Sequence, residues 1–196
     1  MMEGINRDTI FSNCNDFLTT YDWDFEVVKW PAILKSDGMA TKFRLRTNNI
    51  VVPEDPMVEP ISVFVRGHRY SQPGDVKNYG ICSFSVQDFS DQSIQRYFTQ
   101  LVYLMSDPQT KAMMSGRPGL FKMNFNIYRL NAALEPVKRW RIIDALPIGI
   151  NTVDDMSSEK EPLGPSALSF NCDYYVVEYR TGKESWGYAP QPSKKA

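Results

Sequence analysis

The chain of 196 residues is 42 % hydrophobic and 23 % charged, which is enough to bury a core and is typical of a globular protein. Its formal net charge of −1 argues against a protein that binds nucleic acid through phosphates, because such proteins carry a basic excess. No apolar run approaches the roughly twenty residues that span a bilayer, and the first residues lack the features of a signal peptide. We therefore expect a cytoplasmic protein with reduced, buried cysteines at Cys14, Cys82 and Cys172.

The first part of the chain predicts an arm followed by two strands. Residues 1–21 show no clear period and are expected to form the arm. The segment 22–28, "DWDFEVV", alternates apolar and acidic residues, which predicts a half-buried strand. The segment 41–47, "TKFRLRT", repeats the alternation, and we expect a second strand with Phe43 and Leu45 facing inward.

The next part predicts an extended arm, a hairpin and a strand. Residues 48–60, "NNIVVPEDPMVEP", are stiffened by three prolines. Residues 61–75 then indicate a hairpin with its turn near Arg66 and Gly67. Another strand is predicted over 79–88, "YGICSFSVQD". Its inward face is predicted to carry Cys82, Phe84 and Val86.

The period then changes to that of a helix over 90–106, "SDQSIQRYFTQLVYLMS". Ser90 is the predicted cap, and Asp107 with Pro108 should end the helix. The apolar stripe is one-sided, so the helix should lie against a sheet. The side chains predicted to pack on that sheet are Ile94, Tyr97, Phe98, Leu101 and Met105.

The C-terminal third predicts three more strands. Residues 120–130 alternate strictly, and 137–144 return as their partner. An apolar elbow at Pro147 follows, and the last strand covers 167–179. The inward residues predicted on that strand are Leu168, Phe170, Cys172, Tyr174 and Val176. The fold class is mainly β (α+β): an antiparallel β-sandwich or barrel of about seven strands, with one flanking α-helix and a protruding hairpin.

The sequence offers little for catalysis, metal binding or cofactor binding. Its one histidine, His68, lies beside the predicted hairpin turn, which is typical of an exposed or interface residue. The carboxylates of 22–26 and 153–161 are typical of a solvated strand face and a charged loop, and no phosphate-binding glycine motif occurs. We predict no enzyme and no cofactor.

The basic residues of 42–46, "KFRLR", and 137–141, "VKRWR", leave a second function class open. Interleaved basic and aromatic residues on strands can bind single-stranded nucleic acid on a small barrel. The polar faces of two amphipathic strands would show the same pattern, and we favour that interpretation. Charge reversal at Arg44 and Arg141 together would separate the two.

The extended arm from Ile50 to Gly74 favours an assembly protein. It holds more Val, Ile and Phe than a small domain leaves in a protruding hairpin, so a partner should cover it. Side-by-side association of identical chains would do so, and cyclic symmetry closes head-to-tail contacts into a ring.

In order and spacing, these elements resemble the tail tube proteins of contractile-tailed bacteriophages, whose fold is shared with the haemolysin-coregulated tube protein of type VI secretion. The clearest match is the succession "RIIDALPIGI", "DDMSSE" and "LSFNCDYY" in the C-terminal third. "DWDFEVV" stands in the place of the family's first strand, and the matches run from about residue 22 to 177. Met156 replaces a usual aromatic residue, and "KEPLGP" looks inserted.

The resemblance implies a structural protein of a phage virion. Stacked hexameric rings would form a tail tube around a lumen, through which genomic DNA would pass without sequence-specific binding when a sheath contracts. Its partners would be further copies of the chain and the sheath and baseplate proteins. It would not bind a membrane. Assembly would occur in the host cytoplasm. The elbow at Pro147 would let the chain cross from one sheet to another.

The resemblance also implies a domain organisation and an interface. Residues 1–21 would be an arm, 22–179 the tail-tube-like β-barrel domain and 180–196 a flexible tail. A baseplate tube-initiator or a tube-terminator of the same fold remains an alternative function. The residues expected at the subunit interface are Ile50, Val51, Val52, Met57, Val58, Ile61, Val63, Val65, Arg66, His68, Tyr70, Ile148, Ile150 and Val153.

Overall fold

The computed structural model describes residues 23–89, 91–110, 112, 118–152, 165–180 and 185–187. The predicted arm 1–21, the "DDMSSE" segment, the "KEPLGP" segment except Pro165, and most of the predicted tail lie outside these residues. The described strands are β1 (Trp23–Lys29), β2 (Thr47–Val51), β3 (Met57–Val65), β4 (His68–Lys77), β5 (Gly80–Val86), β6 (Met123–Leu130), β7 (Pro136–Thr152), β8 (Ser166–Arg180) and β9 (Trp186–Gly187). The helices are α1 (Met39–Arg46), α2 (Ser93–Met105) and a 3₁₀ turn (Pro118–Leu120).

The strands form one large and one small antiparallel sheet. The large sheet has the order β1-β6-β7-β8-β5-β2, with β9 paired to β8, and it curves into a half-barrel. The small sheet is the β3–β4 hairpin. The predicted fold class, mainly β with an antiparallel barrel-like sheet and a protruding hairpin, is confirmed.

The core fills the concave side of the large sheet with aromatic rings. The alternating side chains predicted to face inward on β1, β5 and β6 are buried or packed against the core, since a strand turns every second side chain to one face. Neighbouring phenylalanine rings lie 5.0–5.6 Å apart between centroids, for example Phe125 with Phe170 and Phe98 with Phe170. Contacts of this kind tie α2 to the sheet.

The segment 41–47 is helical, so the strand predicted there is wrong. Helix α1 buries Met39 and Phe43, which lie one turn apart on one face, whereas Leu45 is 78 % exposed. Alternation over so few residues also fits a helix with a narrow apolar face. Gly38, at a φ of 71°, turns the chain into that helix. Met39, the first residue of the helix, precedes the segment 41–47 on which the strand was predicted.

Helix α2 is confirmed and ends at Met105, two residues before Asp107 of the predicted stop. The predicted cap, Ser90, lies outside the described residues. The carboxylate of Asp88 accepts hydrogen bonds from the backbone N–H groups of Ile94 and Gln95, both 3.0 Å long. It thereby satisfies two of the amide groups that a helix leaves free at its start.

The long strands β7 and β8 change their inward face part-way along. On β7 the buried set passes from Ile142 to Ala145 around Asp144, which has a φ of 55° and donates its N–H to Asn124 Oδ1 at 3.0 Å. On β8 the same change occurs after Cys172. Tyr174, predicted to face inward, is therefore 41 % exposed.

On β8 it is Tyr175 and Val177 that join the core instead of Tyr174. Val176 is buried as well, but it does not belong to the core cluster. A strand pattern predicts one parity throughout. The register of β7 with β6 shifts between Met123 and Phe125, and β8 stays in register with β7 across this point.

The predicted elbow at Pro147 is also corrected. Strand β7 continues past Pro147 to Thr152 and stays paired with β8, with a register shift between Pro147 and Gly149. The pairing of β7 with β6 ends where Ala145 lies opposite Met123, the first residue of β6. Among the described strands, only β8 pairs with β7 beyond that point. A proline, which lacks an N–H, is accommodated where one side of a strand is unpaired.

Candidate assembly surface

The assembly hairpin, defined as Met57–Lys77, is closed by a two-residue turn. Arg66 and Gly67 have φ values of 49° and 81°, and they connect the paired residues Val65 and His68. Two positive φ angles define a type I′ turn, whose twist matches that of the two strands. The hairpin and its turn confirm the sequence-based prediction.

A bulge near Gly74 bends the hairpin. The register shifts between Val58 and Pro60, so β4 carries one extra residue there. A Cβ on Gly74 would collide with the carbonyl oxygen of Glu59 and would lie 2.8 Å from Cγ1 of Ile61. Only glycine fits this close approach of two backbones.

Both faces of the assembly hairpin are apolar and exposed. Cross-strand register places two sets of side chains on opposite faces. The first set is Met57, Ile61, Val63, Val65 and Tyr70, and the second is Val58, Pro60, Phe64 and Val76. Apart from Val63, every one of these side chains is classed as exposed, and Phe64 reaches 71 %.

Such a hairpin cannot cover its own apolar surface. Among the described strands, β3 and β4 pair with each other and with no strand of the large sheet. An isolated two-stranded hairpin is marginally stable in water, and a large exposed apolar patch marks an interaction site. The assembly hairpin is therefore the candidate surface for binding a protein partner.

The two chain segments at the root of the hairpin are anchored to the large sheet. Tyr175 donates its hydroxyl to the carbonyl oxygen of Glu54 and its N–H to that of Asn78, the latter at 2.8 Å. Lys138 lies 2.8 Å from both carboxylate oxygens of Asp55. These contacts fix where the hairpin leaves the body.

No local pattern predicts this anchor, because Tyr175 and Glu54 are 121 residues apart and the strand pattern predicted Tyr174 inward instead.

The residues expected at the interface fall into three groups. Ile50, Val52 and Ile150 are partly buried against the core. Val153 lies outside the described residues. The remaining ones lie on the hairpin, beside it or on β7, and except for Val63 they are exposed: Val51, Met57, Val58, Ile61, Val63, Val65, Arg66, His68, Tyr70 and Ile148. Their role in an interface stays a prediction.

The helix side chains expected to pack on the sheet lie in or against the core. Four are buried and Met105 is partly buried. The buried four are Ile94, Tyr97, Phe98 and Leu101.

The acidic side chains of β1 form an ion pair and hydrogen bonds with neighbouring side chains of the fold. Asp24 pairs with Arg44, and Glu26 accepts hydrogen bonds from Asn126 Nδ2 at 2.8 Å and the Tyr128 hydroxyl at 2.5 Å. No group of three or more His, Cys, Asp and Glu side chains within the described ranges is arranged to hold a metal ion. His68 begins β4 at the exposed tip of the hairpin.

The two basic segments are neutralised inside the chain. Arg46 lies 2.7 Å from Asp88, and Lys42 lies 3.2 Å from Asp91. In the second segment, Glu178 is 2.5 Å from Arg139 and 3.6 Å from Arg141. Carboxylates thus meet these cations, as expected for polar faces of the fold.

Two of the three thiols can be described. Cys82 and Cys172 are free and buried, and Cys14 lies outside the described residues. The hydrogen bond with Cys172, together with burial, holds the pKa of the Cys82 thiol well above its usual value. Both thiols therefore behave as small core side chains.

Neither helix in the described part of the chain combines the length and the hydrophobicity that crossing a membrane requires.

No protein-family model matches the chain, and no curated protein matches it. Among solved structures, it is similar to a chain of the sheath–tube complex of an extracellular contractile injection system, PVC, in the extended state. That likeness has a TM-score of 0.56 and 11 % identity, and it covers 89 % of this chain and 99 % of the other.

Two further structures are similar to the same extent. The tube-terminating cap of the anti-feeding prophage gives a TM-score of 0.55 and 13 % identity, over 85 % of this chain and 93 % of the other. The sheath/tube terminator of the PVC system gives 0.55 and 11 %, over 84 % and 98 %. At such identities the likeness concerns the fold, and the chain has a contractile tail-tube-like fold, as its sequence indicated.

Proposed function

We propose that this protein is a structural subunit that associates with copies of itself into rings, which stack into the tube of a contractile particle. The observation that carries the proposal is the assembly hairpin, which exposes apolar side chains on both faces. A surface of that kind needs partners on two sides, as a subunit between neighbours has. The tail-tube-like fold supports the same role.

In detail, we propose hexameric rings in a phage tail, surrounded by a sheath and begun at a baseplate. The lumen would let genomic DNA pass without sequence-specific binding. A conduit must not hold phosphates tightly, and the internal pairing of the two basic segments is consistent with that. The subunit would act mechanically, as part of a rigid wall, and not as an enzyme.

A tube terminator is the second candidate. Two of the similar structures, the anti-feeding prophage cap and the PVC terminator, are proteins of that description, and their TM-scores of 0.55 nearly equal that of the sheath–tube chain. A terminator would form one ring and bind a tube end. A nucleic-acid-binding barrel is less favoured, because Arg44 and Arg141 each face a carboxylate.

Negative-stain electron microscopy of the purified chain across a concentration series tests the proposal. Long hollow tubes are the expected result. Rings that do not stack would favour the terminator. A chain that stays monomeric at every concentration would contradict self-assembly.

A further inference from the structure

A cleft of about 420 Å³ lies at the root of the assembly hairpin. Its walls carry four apolar side chains that are each more than half exposed: Val51, Met57, Tyr79 and Ile81. The volume falls in the range of roughly 300–1,000 Å³ that is typical of clefts that bind an ordered group. Glu54, Asp55 and Lys77 also line the cleft. The carboxylate of Asp55 is paired with Lys138.

The tip of the same hairpin has the complementary character. Phe64 is 71 % exposed, and Arg69 lies directly opposite it on the partner strand. The tip also carries Arg66 and His68, and no acidic residue occurs from Pro60 to Gly74. An apolar, basic tip thus matches an apolar cleft that carries the Glu54 carboxylate.

Phe64 cannot fill the cleft of its own chain. It lies seven positions along β3 from Met57, so at about 3.3 Å per residue the two are about 23 Å apart. A contact between tip and cleft can therefore form only between two molecules.

We infer that Phe64 of one copy inserts into the root cleft of a second copy, with Arg69 facing Glu54 of that copy. The inference rests on the proposed self-assembly and adds which surfaces meet. Tip and cleft are different surfaces, so the contact is head-to-tail and repeats from copy to copy. It closes into a ring or continues along a filament, according to the rotation between neighbours.

The first experiment compares Phe64→Ala, which removes the tip side chain, with Ile81→Lys, which places a charge in the cleft. Leu134→Ala is the matched control, since Leu134 is 69 % exposed in the turn between β6 and β7. Each tip or cleft variant should raise the concentration needed for assembly about 30-fold or more, as loss of a central interface side chain does. The control should assemble like the original chain.

Mixing the two variants tests the head-to-tail geometry. Phe64→Ala retains the cleft, and Ile81→Lys retains the tip, so an equimolar mixture has one intact contact. Light scattering should give a one-to-one dimer and nothing larger. If only tips met tips, Ile81→Lys would assemble alone and the inference would be overturned.

A charge exchange gives an independent test that needs no change of the apolar groups. Arg69→Glu alone and Glu54→Arg alone should each weaken assembly, and the double variant should restore it. Circular dichroism checks that each variant is folded. Failure of the double variant to exceed the single ones would contradict the Arg69–Glu54 contact.

The outcomes also separate the inference from the proposed function. A wild-type chain that never assembles overturns both. A wild-type chain that assembles, with Phe64→Ala and Ile81→Lys assembling equally well, overturns the tip-in-cleft contact alone.

Discussion

Asp91 lies between cations at the junction of α1 and α2. Its carboxylate is 2.9 Å from Arg46 and 3.2 Å from Lys42. The hydrogen bond from Arg46 is the main cause that lowers the pKa of Asp91 below its usual value of 3.8, with smaller contributions from Ser93 and Lys42. A folded-state pKa below the unfolded value stabilises the fold above about pH 4, and that stabilisation is lost as the pH falls further.

Asp91→Asn should therefore change the pH dependence of stability. The difference in unfolding free energy between the wild type and the variant should be constant near neutral pH and should shrink below pH 3.8. Urea unfolding from pH 7 down to about pH 2 measures it. Asp37→Asn is the matched control for the removal of one aspartate carboxylate. A constant difference for Asp91→Asn at all pH values would contradict the role of the ion pair.

Two buried tyrosines should respond oppositely to loss of the hydroxyl. None of the described residues hydrogen-bonds the Tyr97 hydroxyl, and burial raises its pKa to about 12. Tyr97→Phe should leave the unfolding free energy unchanged or raise it by up to about 1 kcal/mol. Tyr175→Phe should lower it by about 1 kcal/mol, because the carbonyl of Glu54 loses its donor. Urea unfolding of both variants measures this, and a clear loss in Tyr97→Phe would reveal a partner.

At the scale of elements, local sequence patterns predicted correctly the elements whose structure depends on residues close together in the sequence. The β3–β4 turn follows from Arg66 and Gly67, and α2 from a long apolar stripe. Helix α1 was missed because a seven-residue alternation cannot separate a short helix from a strand. The parity change at Asp144 was missed because Asn124, which accepts its N–H, belongs to another strand.

The same limit applies to the candidate site. An apolar extended segment was enough to predict the protruding hairpin. The anchor at its root depends on Tyr175 and Lys138, which lie 121 and 83 residues from their partners. No local pattern encodes pairings over such distances.

Gly74→Ala should disrupt the hairpin and leave the body intact. The added methyl meets the backbone of Glu59, so the bulge must open, at a cost of about 1–3 kcal/mol to the hairpin. Hydrogen exchange of peptides within 57–77 should become faster, while that of β6 stays unchanged. Gly149→Ala is the control, because a Cβ there meets nothing within 4 Å. Unchanged exchange in the hairpin would show that the bulge is not required.

At the scale of the whole molecule, the hairpin is not the only uncovered surface, because the half-barrel also has unpaired strand edges. In the described part of the chain, β1 and β2 end the large sheet, and each pairs with one neighbour. Free edges are surfaces that another chain can extend, and proteins normally protect them. A single copy therefore resembles part of a larger structure, which is consistent with the proposed assembly.

Removing the hairpin tests whether the body folds without it and whether assembly depends on it. None of the buried core residues in the described chain belongs to β3 or β4. Met57 and Lys77 are paired, so an Asn-Gly turn can replace Val58–Val76. The shortened chain should be a folded monomer at every concentration, with a melting temperature within about 5 °C of the full chain in its monomeric form.

Light scattering and thermal circular dichroism measure the two properties. Rings or tubes from the shortened chain would show that another surface drives assembly. An unfolded product would show that the hairpin stabilises the body of its own chain. A folded monomer would show that the hairpin drives assembly. Its exposed apolar side chains indicate the same role, because only a second molecule can cover them.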